Sequence, residues 1–267
     1  MNGLRDRGHL IAIAIAVAAV GVRLIQLPEP FIDPWSWRQS DVGAIARNFS
    51  ERGFHFAYPQ IDWAGDAPGY VGTEFPLLPF AAALSYKFLG VHEWIGRLES
   101  VLFFTASLPF FYLLVRRIFD KSAALWALFF YCVAPLCIVA SRAFMPDMPS
   151  LALSMIGLYF FQCWLESEPD RDLTSRLFLA SALCISLSIL IKLPSAVIGA
   201  PLACLAFQRF GEPPLRLGAA FRNIRLWIFA AIALLPSALW YRHAYQIAFR
   251  FYPHHFFGAG GDRKSVV

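Results

Sequence analysis

Charge is scarce in this chain. Of its 267 residues only 15% are Asp, Glu, Lys or Arg, against roughly 25% in a typical soluble domain. That shortage excludes a soluble enzyme with a hydrated surface, and it excludes a disordered tail. Cysteine is also sparse and carries no ligand pattern. Cys132, Cys137, Cys163, Cys184 and Cys204 all sit inside apolar segments, without a Cys-x-x-Cys pair or a His at ligand spacing. They read as small buried hydrophobes rather than metal ligands or disulfide partners. No repeat of 20 to 50 residues is evident.

What is abundant is apolar and aromatic. Hydrophobic residues make up 58% of the chain and aromatics 16%, with 26 Phe and 8 Trp. Mean hydropathy is +0.54. A chain of this kind is a multi-span membrane protein. The net charge of +5 does not indicate nucleic acid, because the basic residues fall in short clusters between apolar runs, the pattern that orients a chain in a bilayer.

The apolar runs cover residues 10–27, 98–115, 122–140, 149–165, 177–191, 193–207 and 226–240. Each approaches the ~20 residues that a helical span needs. The run 10–27 follows Arg5 and Arg7. It is long for a signal-peptide core and no small-x-small cleavage site follows before Pro28, so it reads as an uncleaved first span. Residues 75–90 form a further apolar run ending near Lys87. If it does not span, Arg116, Arg117, Lys121, Arg171, Arg176, Arg209, Arg216, Arg222 and Arg225 share the cytoplasmic side, and only Arg142 and Lys192 remain in the short outer loops. If it spans, that bias inverts. The positive-inside rule therefore makes 75–90 a helix lying in the outer interface, anchored by Pro76, Pro79 and Tyr86.

The expected fold is all-α: a polytopic transmembrane helical bundle of about seven spans, with the N-terminus in the cytoplasm. Residues 28–97 form a large first extracytoplasmic loop bearing short interfacial helices. Residues 1–261 are the membrane core. Residues 262–267, Asp-Arg-Lys-Ser-Val-Val, read as the in-frame translation of a sequencing adapter, with a natural chain continuing past Gly261. A genuine short polar tail is the other reading.

Ionisable residues gather on the outer side. The first loop holds Asp33-Pro34-Trp35-Ser36-Trp37-Arg38-Gln39-Ser40-Asp41, then Ile45-Ala46-Arg47-Asn48-Phe49, Glu74-Phe75-Pro76-Leu77 and Gly96-Arg97-Leu98. The second outer turn holds Arg142 and Met145-Pro146-Asp147-Met148-Pro149. Asp41, Ala44, Ile45 and Asn48 share one helical face, with Arg38 one turn before Asp41. Asp147 falls at a helix start, where a carboxylate also offsets the dipole. A carboxylate at the interface can take a proton from an acceptor hydroxyl, and arginines can hold a phosphate leaving group. Glu74 has a cap of the interfacial helix as its other reading. Arg97, Arg142 and Lys192 have snorkelling as theirs. Trp35, Trp37, Tyr58, Trp63 and Tyr70 suit an interfacial belt. His254 and His255 read as surface or acceptor contacts rather than a metal site. Arg23, inside the first span, either snorkels outward or faces the bundle.

Across residues 10–255 these motifs resemble the GT-C superfamily of integral-membrane glycosyltransferases, in the bacterial branch related to protein O-mannosyltransferases and the lipid A aminoarabinose transferase. The resemblance implies inverting transfer of a sugar from a polyprenyl-phosphate donor to a cell-envelope glycan, lipid or protein, on the outer face of the bacterial inner membrane. It implies an acidic base in the first loop. That role falls to Asp41, with Asp33 as the rival. Asp147 matches the second acidic position, near donor phosphate or acceptor. Relatives carry an Asp-Glu pair where this chain has Arg38-Gln39, and a basic residue where it has Phe75. Phosphate contact is then expected from Arg97, Arg142 or Lys192, with Arg38 and Glu74 also in the donor or acceptor site. No metal ligand is assigned, and a divalent cation stays open as cofactor. The partners are a polyprenyl-phosphate-linked sugar, a cell-envelope acceptor and the bilayer, with no nucleic acid. A non-catalytic truncated homologue and a flippase of lipid-linked substrates are the alternatives. Charges crowded on one face argue against the flippase.

Overall fold

The structure is a computed structural model that describes residues 2–32, 34–167, 171–210 and 222–256. Asp33 and residues 257–267, including the suspected adapter tail, lie outside the described residues. In chain order the helices are α1 (Asn2–Leu24), α2 (Ser36–Arg52), α3 (Leu77–Leu89), α4 (Glu93–Ile118), α5 (Lys121–Val133), α6 (Pro135–Ala140), α7 (Asp147–Glu166) and α8 (Arg171–Ile191). A 3-10 helix (Leu193–Ile198), α9 (Gly199–Phe210) and α10 (Ile224–Arg250) follow. The described residues contain no named strand, only isolated bridges between Gln60 and Tyr70 and between Gly72 and Phe256. The all-α polytopic bundle expected from the apolar runs is what the chain forms.

Among the described residues five helices are long and apolar enough to cross a membrane: α1, α4, α7, α8 and α10. The other two expected spans are helical but interrupted. The run 122–140 breaks at Ala134, whose ψ of 123° is extended, as the residue before a proline prefers. The run 193–207 opens with a 3-10 turn carrying Pro194. Residues 75–90 form α3, with only 13 residues in regular helix. At 1.5 Å per residue that reaches about 20 Å, well short of a ~30 Å hydrocarbon core. Tyr86 differs from its expected role. It does not face an interface but packs in a core with Val42, Ala46, Leu78 and Phe144, because its ring lies on the side of α3 that meets α2 and α4.

Two of the apolar cores among the described residues tie the long helices together. One joins α1, α4 and α5 around Phe104, Leu108 and Leu128. The other joins α7, α8, α9 and α10 around Phe161, Ile185, Ile189 and Phe229. The most extensive contact is between α7 and α8, and small residues make it. A Cβ on Gly157 would stand 2.7 Å from Ile185 Cδ1, closer than side chains tolerate. Serine hydroxyls stitch the same seam. Ser181 Oγ donates to the Gly157 carbonyl at 2.8 Å, Ser150 and Ser188 each donate to the other's carbonyl at 2.8 Å, and Ser154 meets Ser188 Oγ at 2.6 Å. In lipid, where chains gain nothing from hiding apolar groups, close packing and such bonds hold helices together. The outward faces carry exposed Val17, Trp126, Phe130, Leu239 and Phe249, a surface suited to lipid.

Polar groups close the bundle at its two ends. At one end Arg117 pairs with Glu166, Arg116 meets His9 at 2.8 Å and Arg209 donates to the Leu165 carbonyl at 2.8 Å. The opposite end carries the first loop and the site described below. Near that end sits Arg23, which faces the bundle and is fully buried. It donates to Ser141 Oγ (2.5 Å), the Ala19 carbonyl (2.9 Å) and the Cys132 carbonyl (3.1 Å), and its guanidinium lies 3.7 Å from the Phe104 ring centre. It therefore serves carbonyl and hydroxyl groups on both sides of the α5–α6 break. Arg23→Leu orphans these acceptors in an apolar setting, and each orphaned group costs about 1–3 kcal/mol. We expect a loss of about 3 kcal/mol, read as a lowered midpoint in thermal unfolding of the purified protein in detergent. An unchanged midpoint contradicts this role.

Candidate active site

The site is assembled on α2. Its buried face is Val42, Ile45, Ala46 and Phe49 with Gln39, the i, i+3, i+4, i+7 stripe of a helix lying on a core. That orientation fixes the remaining side chains. Gln39 is fully buried and its Oε1 accepts from the Phe144 amide at 3.0 Å. Asn48 is buried as well, donating to the Gln60 carbonyl at 2.9 Å and to Asp62 Oδ1 at 3.1 Å, while Arg47 pairs with Asp62 at 2.5 Å. These bonds dock residues 59–72, a short antiparallel turn closed by Ile61 N–H to the Gly69 carbonyl and Val71 N–H to the Pro59 carbonyl, both 3.0 Å.

From that turn Trp63 reaches back to α2, and its indole N–H donates to Asp41 Oδ1 at 3.2 Å. Burial pushes the Asp41 carboxyl above the ordinary carboxylate range; the Trp63 bond and the charges of Arg38 and His255 pull the other way without cancelling it. The Trp63 ring stands edge-on to His255, centroids 5.3 Å apart. His255 is held by its backbone, accepting from the Gly72 amide at 3.0 Å. A Cβ on Gly72 would overlap the Ala244 carbonyl oxygen and the Phe256 ring, so this close approach of chain to chain requires glycine.

One turn before Asp41, Arg38 reaches Glu74. The guanidinium donates to both carboxylate oxygens, and Thr73 Oγ1 adds a bond at 3.3 Å. Glu74 is only 5% exposed. Its chain segment is wedged between two long helices. The Trp240 indole donates to the Thr73 carbonyl at 3.0 Å, and the Phe75 amide donates to the Leu190 carbonyl at 3.4 Å. Two residues beyond Leu190, Lys192 Nζ meets Asp147 Oδ1 at 2.5 Å, tying the end of α8 to the first residue of α7. Both side chains keep about a third of their surface open to solvent, 27% and 34%. A continuous path of named contacts thus joins Asp41 and Arg38 to Glu74, to the 73–75 segment and on to Lys192 and Asp147.

The other sequence-derived candidates lie elsewhere. Arg97 is fully buried, donates to the Pro30 carbonyl at 2.8 Å and lies over the Phe31 ring. Arg142 donates to the Gln26 carbonyl at 3.3 Å. The structure places both guanidinium groups on the 26–31 connection. Asp33 lies outside the described residues. Sequence reasoning missed Trp63 as the partner of Asp41 and missed Tyr241, whose hydroxyl accepts from the Leu193 amide at 3.1 Å beside Lys192. An aromatic near the end of a long apolar helix carries no local mark that separates a site residue from a belt residue. Among the described residues no group of three or more His, Cys, Asp or Glu side chains is arranged to hold a metal ion.

A polytopic helical bundle with a polar cluster at one end, built by its first long loop, is the architecture of the GT-C membrane glycosyltransferases. The chain belongs to the dolichyl-phosphate-mannose-protein mannosyltransferase family, whose model matches residues 68–241. It superposes on the crystal structure of the apo oligosaccharyltransferase of Archaeoglobus fulgidus with a TM-score of 0.58 at 19% identity, over 88% of this chain and 29% of that one. The likeness is one of fold, and the chain spans less than a third of that protein's length. A comparison with the curated proteins gives no match.

The upward push on Asp41 is directly measurable. Infrared difference spectra of the wild type against Asp41→Asn should show this carboxyl titrating above ~4, its ordinary value. Trp63→Phe removes a bond to the charged form, so the titration should move higher still. A titration at or below ~4 contradicts the assigned environment.

Proposed function

We propose that this protein transfers a sugar from a polyprenyl-phosphate donor to a cell-envelope glycan, lipid or protein, with inversion, at the extracytoplasmic face of a bacterial inner membrane. The observation that carries the reading is the polar path at one end of an otherwise apolar bundle. It offers a half-buried carboxylate, Asp41, whose proton affinity is raised, and a separate cation, Lys192, open to solvent. Base and phosphate-holding groups on one face are what transfer from a phosphate-linked lipid needs.

In this mechanism Asp41 takes the proton of the acceptor hydroxyl. The acceptor oxygen forms its bond to the anomeric carbon as the bond from that carbon to the phosphate oxygen breaks. The electron pair leaves with the polyprenyl phosphate. Lys192 faces the phosphate, since an ammonium has three N–H groups and Asp147 takes one of them. Asp147 keeps Lys192 in place between turnovers. Arg38 and Glu74 hold α2 against the bundle so that Asp41 keeps its position. Arg97 and Arg142 secure the 26–31 connection behind it. Asp33, beside this connection in sequence, remains the rival base. Residues 1–261 act as one membrane unit in this reading, with 262–267 foreign to it.

The test uses the full chain in proteoliposomes with a panel of polyprenyl-phosphate hexoses and pentoses and envelope extracts as acceptor. Release of free polyprenyl phosphate is the readout. Asp41→Asn should lower the rate by at least about 100-fold, the scale of general-base catalysis. Lys192→Ala should chiefly raise the donor KM. A folded Asp41→Asn protein with full activity overturns the assignment of the base. In that case Asp33→Asn becomes the variant to lose it.

A further inference from the structure

One side chain bonded to the Lys192 end of the polar path plays no part in the mechanism above. Tyr241 stands on α10, one residue after Trp240, which anchors the Thr73 carbonyl. Its hydroxyl oxygen accepts from the Leu193 amide at 3.1 Å. Leu193 is the residue after Lys192, so the hydroxyl lies at the root of the cation that pairs with Asp147. Tyr241 also feels the charges of Glu74 and Arg38. The ring is braced by Phe256, centroids 6.4 Å apart, and the side chain is half-buried.

A phenol hydroxyl has one proton to donate besides its acceptor lone pairs. The Leu193 amide occupies a lone pair, which fixes the oxygen and leaves the proton to point elsewhere. Among the described residues no acceptor takes that proton. Glu74, the nearest carboxylate by charge, already receives both bonds from Arg38 and one from Thr73. A neutral donor fixed on the backbone of the residue after Lys192, with its proton uncommitted among the described residues, suits a phosphate oxygen. It adds a directional bond to the undirected charge that the lysine supplies.

We infer that Tyr241 is a ligand of the donor phosphate, its hydroxyl donating to a phosphate oxygen that Lys192 also faces, with the Leu193 amide as the fixed support of that hydroxyl. The inference rests on the reading of the site as one for a polyprenyl phosphate. It adds a contact from α10, so that the phosphate is held jointly by the α8–3-10 junction and by the last long helix. Tyr241 stabilises the phosphate in both the bound donor and the departing product. Its loss should therefore weaken the affinity for the product as well as for the donor.

The test is binding of farnesyl phosphate to the full chain in detergent, followed by isothermal calorimetry, with thermal unfolding measured on the same samples. The variants are Tyr241→Phe, which keeps the ring on Phe256, and Lys192→Ala. A hydrogen bond to a charged group is worth about a tenfold change or more in affinity. We expect Tyr241→Phe to raise Kd about tenfold with an unchanged unfolding midpoint, and Lys192→Ala to raise it as well. If the wild type and Lys192→Ala behave as expected while Tyr241→Phe binds like the wild type, the inference on Tyr241 is overturned and the phosphate site stands. If Tyr241→Phe loses affinity only together with a lowered midpoint, Tyr241 is a support of the fold and the inference is again overturned. If the wild type binds neither farnesyl phosphate nor a sugar donor, the reading of the whole site falls, and this contact falls with it.

Discussion

A carboxylate that is all but removed from solvent must be neutralised, and in this fold the guanidinium of Arg38 does it. Taking an ion pair out of water costs several kcal/mol per ion in real proteins, a cost that is offset only when geometry is good and further bonds satisfy the remaining lone pairs. Here one terminal nitrogen of Arg38 meets both oxygens of Glu74, and Thr73 supplies a further bond. The pair is the hinge between two parts of the molecule. Arg38 belongs to α2, which lies outside the long helices. Glu74 belongs to a segment pinned between α8 and α10 through Leu190 and Trp240. Loss of the pair would separate the helix that carries Asp41 from the helices that carry Lys192 and Asp147.

Much of the scaffold was legible in the sequence, because a bilayer imposes a length and a composition that a one-dimensional pattern can show. Every apolar run is helical, and the positive-inside comparison that kept residues 75–90 out of the spans fits a helix of only 13 residues. The interruptions near Pro135 and Pro194 shorten two expected spans for a local reason, the proline ring. Local pattern does not show which way a side chain turns inside a bundle. Arg23 was open between snorkelling and facing inward, and its partners at Cys132 and Ser141 lie more than a hundred residues away. Tyr86 was expected at an interface and is buried for the same reason: the helices that cover it are decided by tertiary packing.

The site was legible in its charges and not in its pairings. Asp41, Arg38, Glu74, Asp147 and Lys192 stand out as ions in a chain that has few. Their connection through Trp63, Thr73, Trp240 and Tyr241 runs through aromatic and hydroxyl groups that composition cannot separate from a membrane belt. Arg97 and Arg142 show the converse. They have the right chemistry for phosphate, and the structure shows each giving a bond to the 26–31 connection, to the carbonyls of Pro30 and Gln26. Membership of the mannosyltransferase family fixes the class of the protein, and Arg38, Gln39 and Phe75 sit at the junction that joins α2 to the bundle.

The serine seam between α7 and α8 has a consequence for how the protein enters its membrane. A lone hydroxyl on a single helix can satisfy itself on a carbonyl one turn back, so each of these helices can be released into lipid separately, without carrying an open polar debt. The hydroxyls of Ser150, Ser154, Ser181 and Ser188 then exchange those intrahelical partners for one another and for the facing backbone as the hairpin closes. The guanidinium of Arg23 finds only the Ala19 carbonyl on its own helix, and its bonds to Cys132 and Ser141 form when α5 and α6 arrive. The burial of Arg23 in α1 thereby depends on α5 and α6, whereas the α7–α8 hairpin supplies its own polar partners.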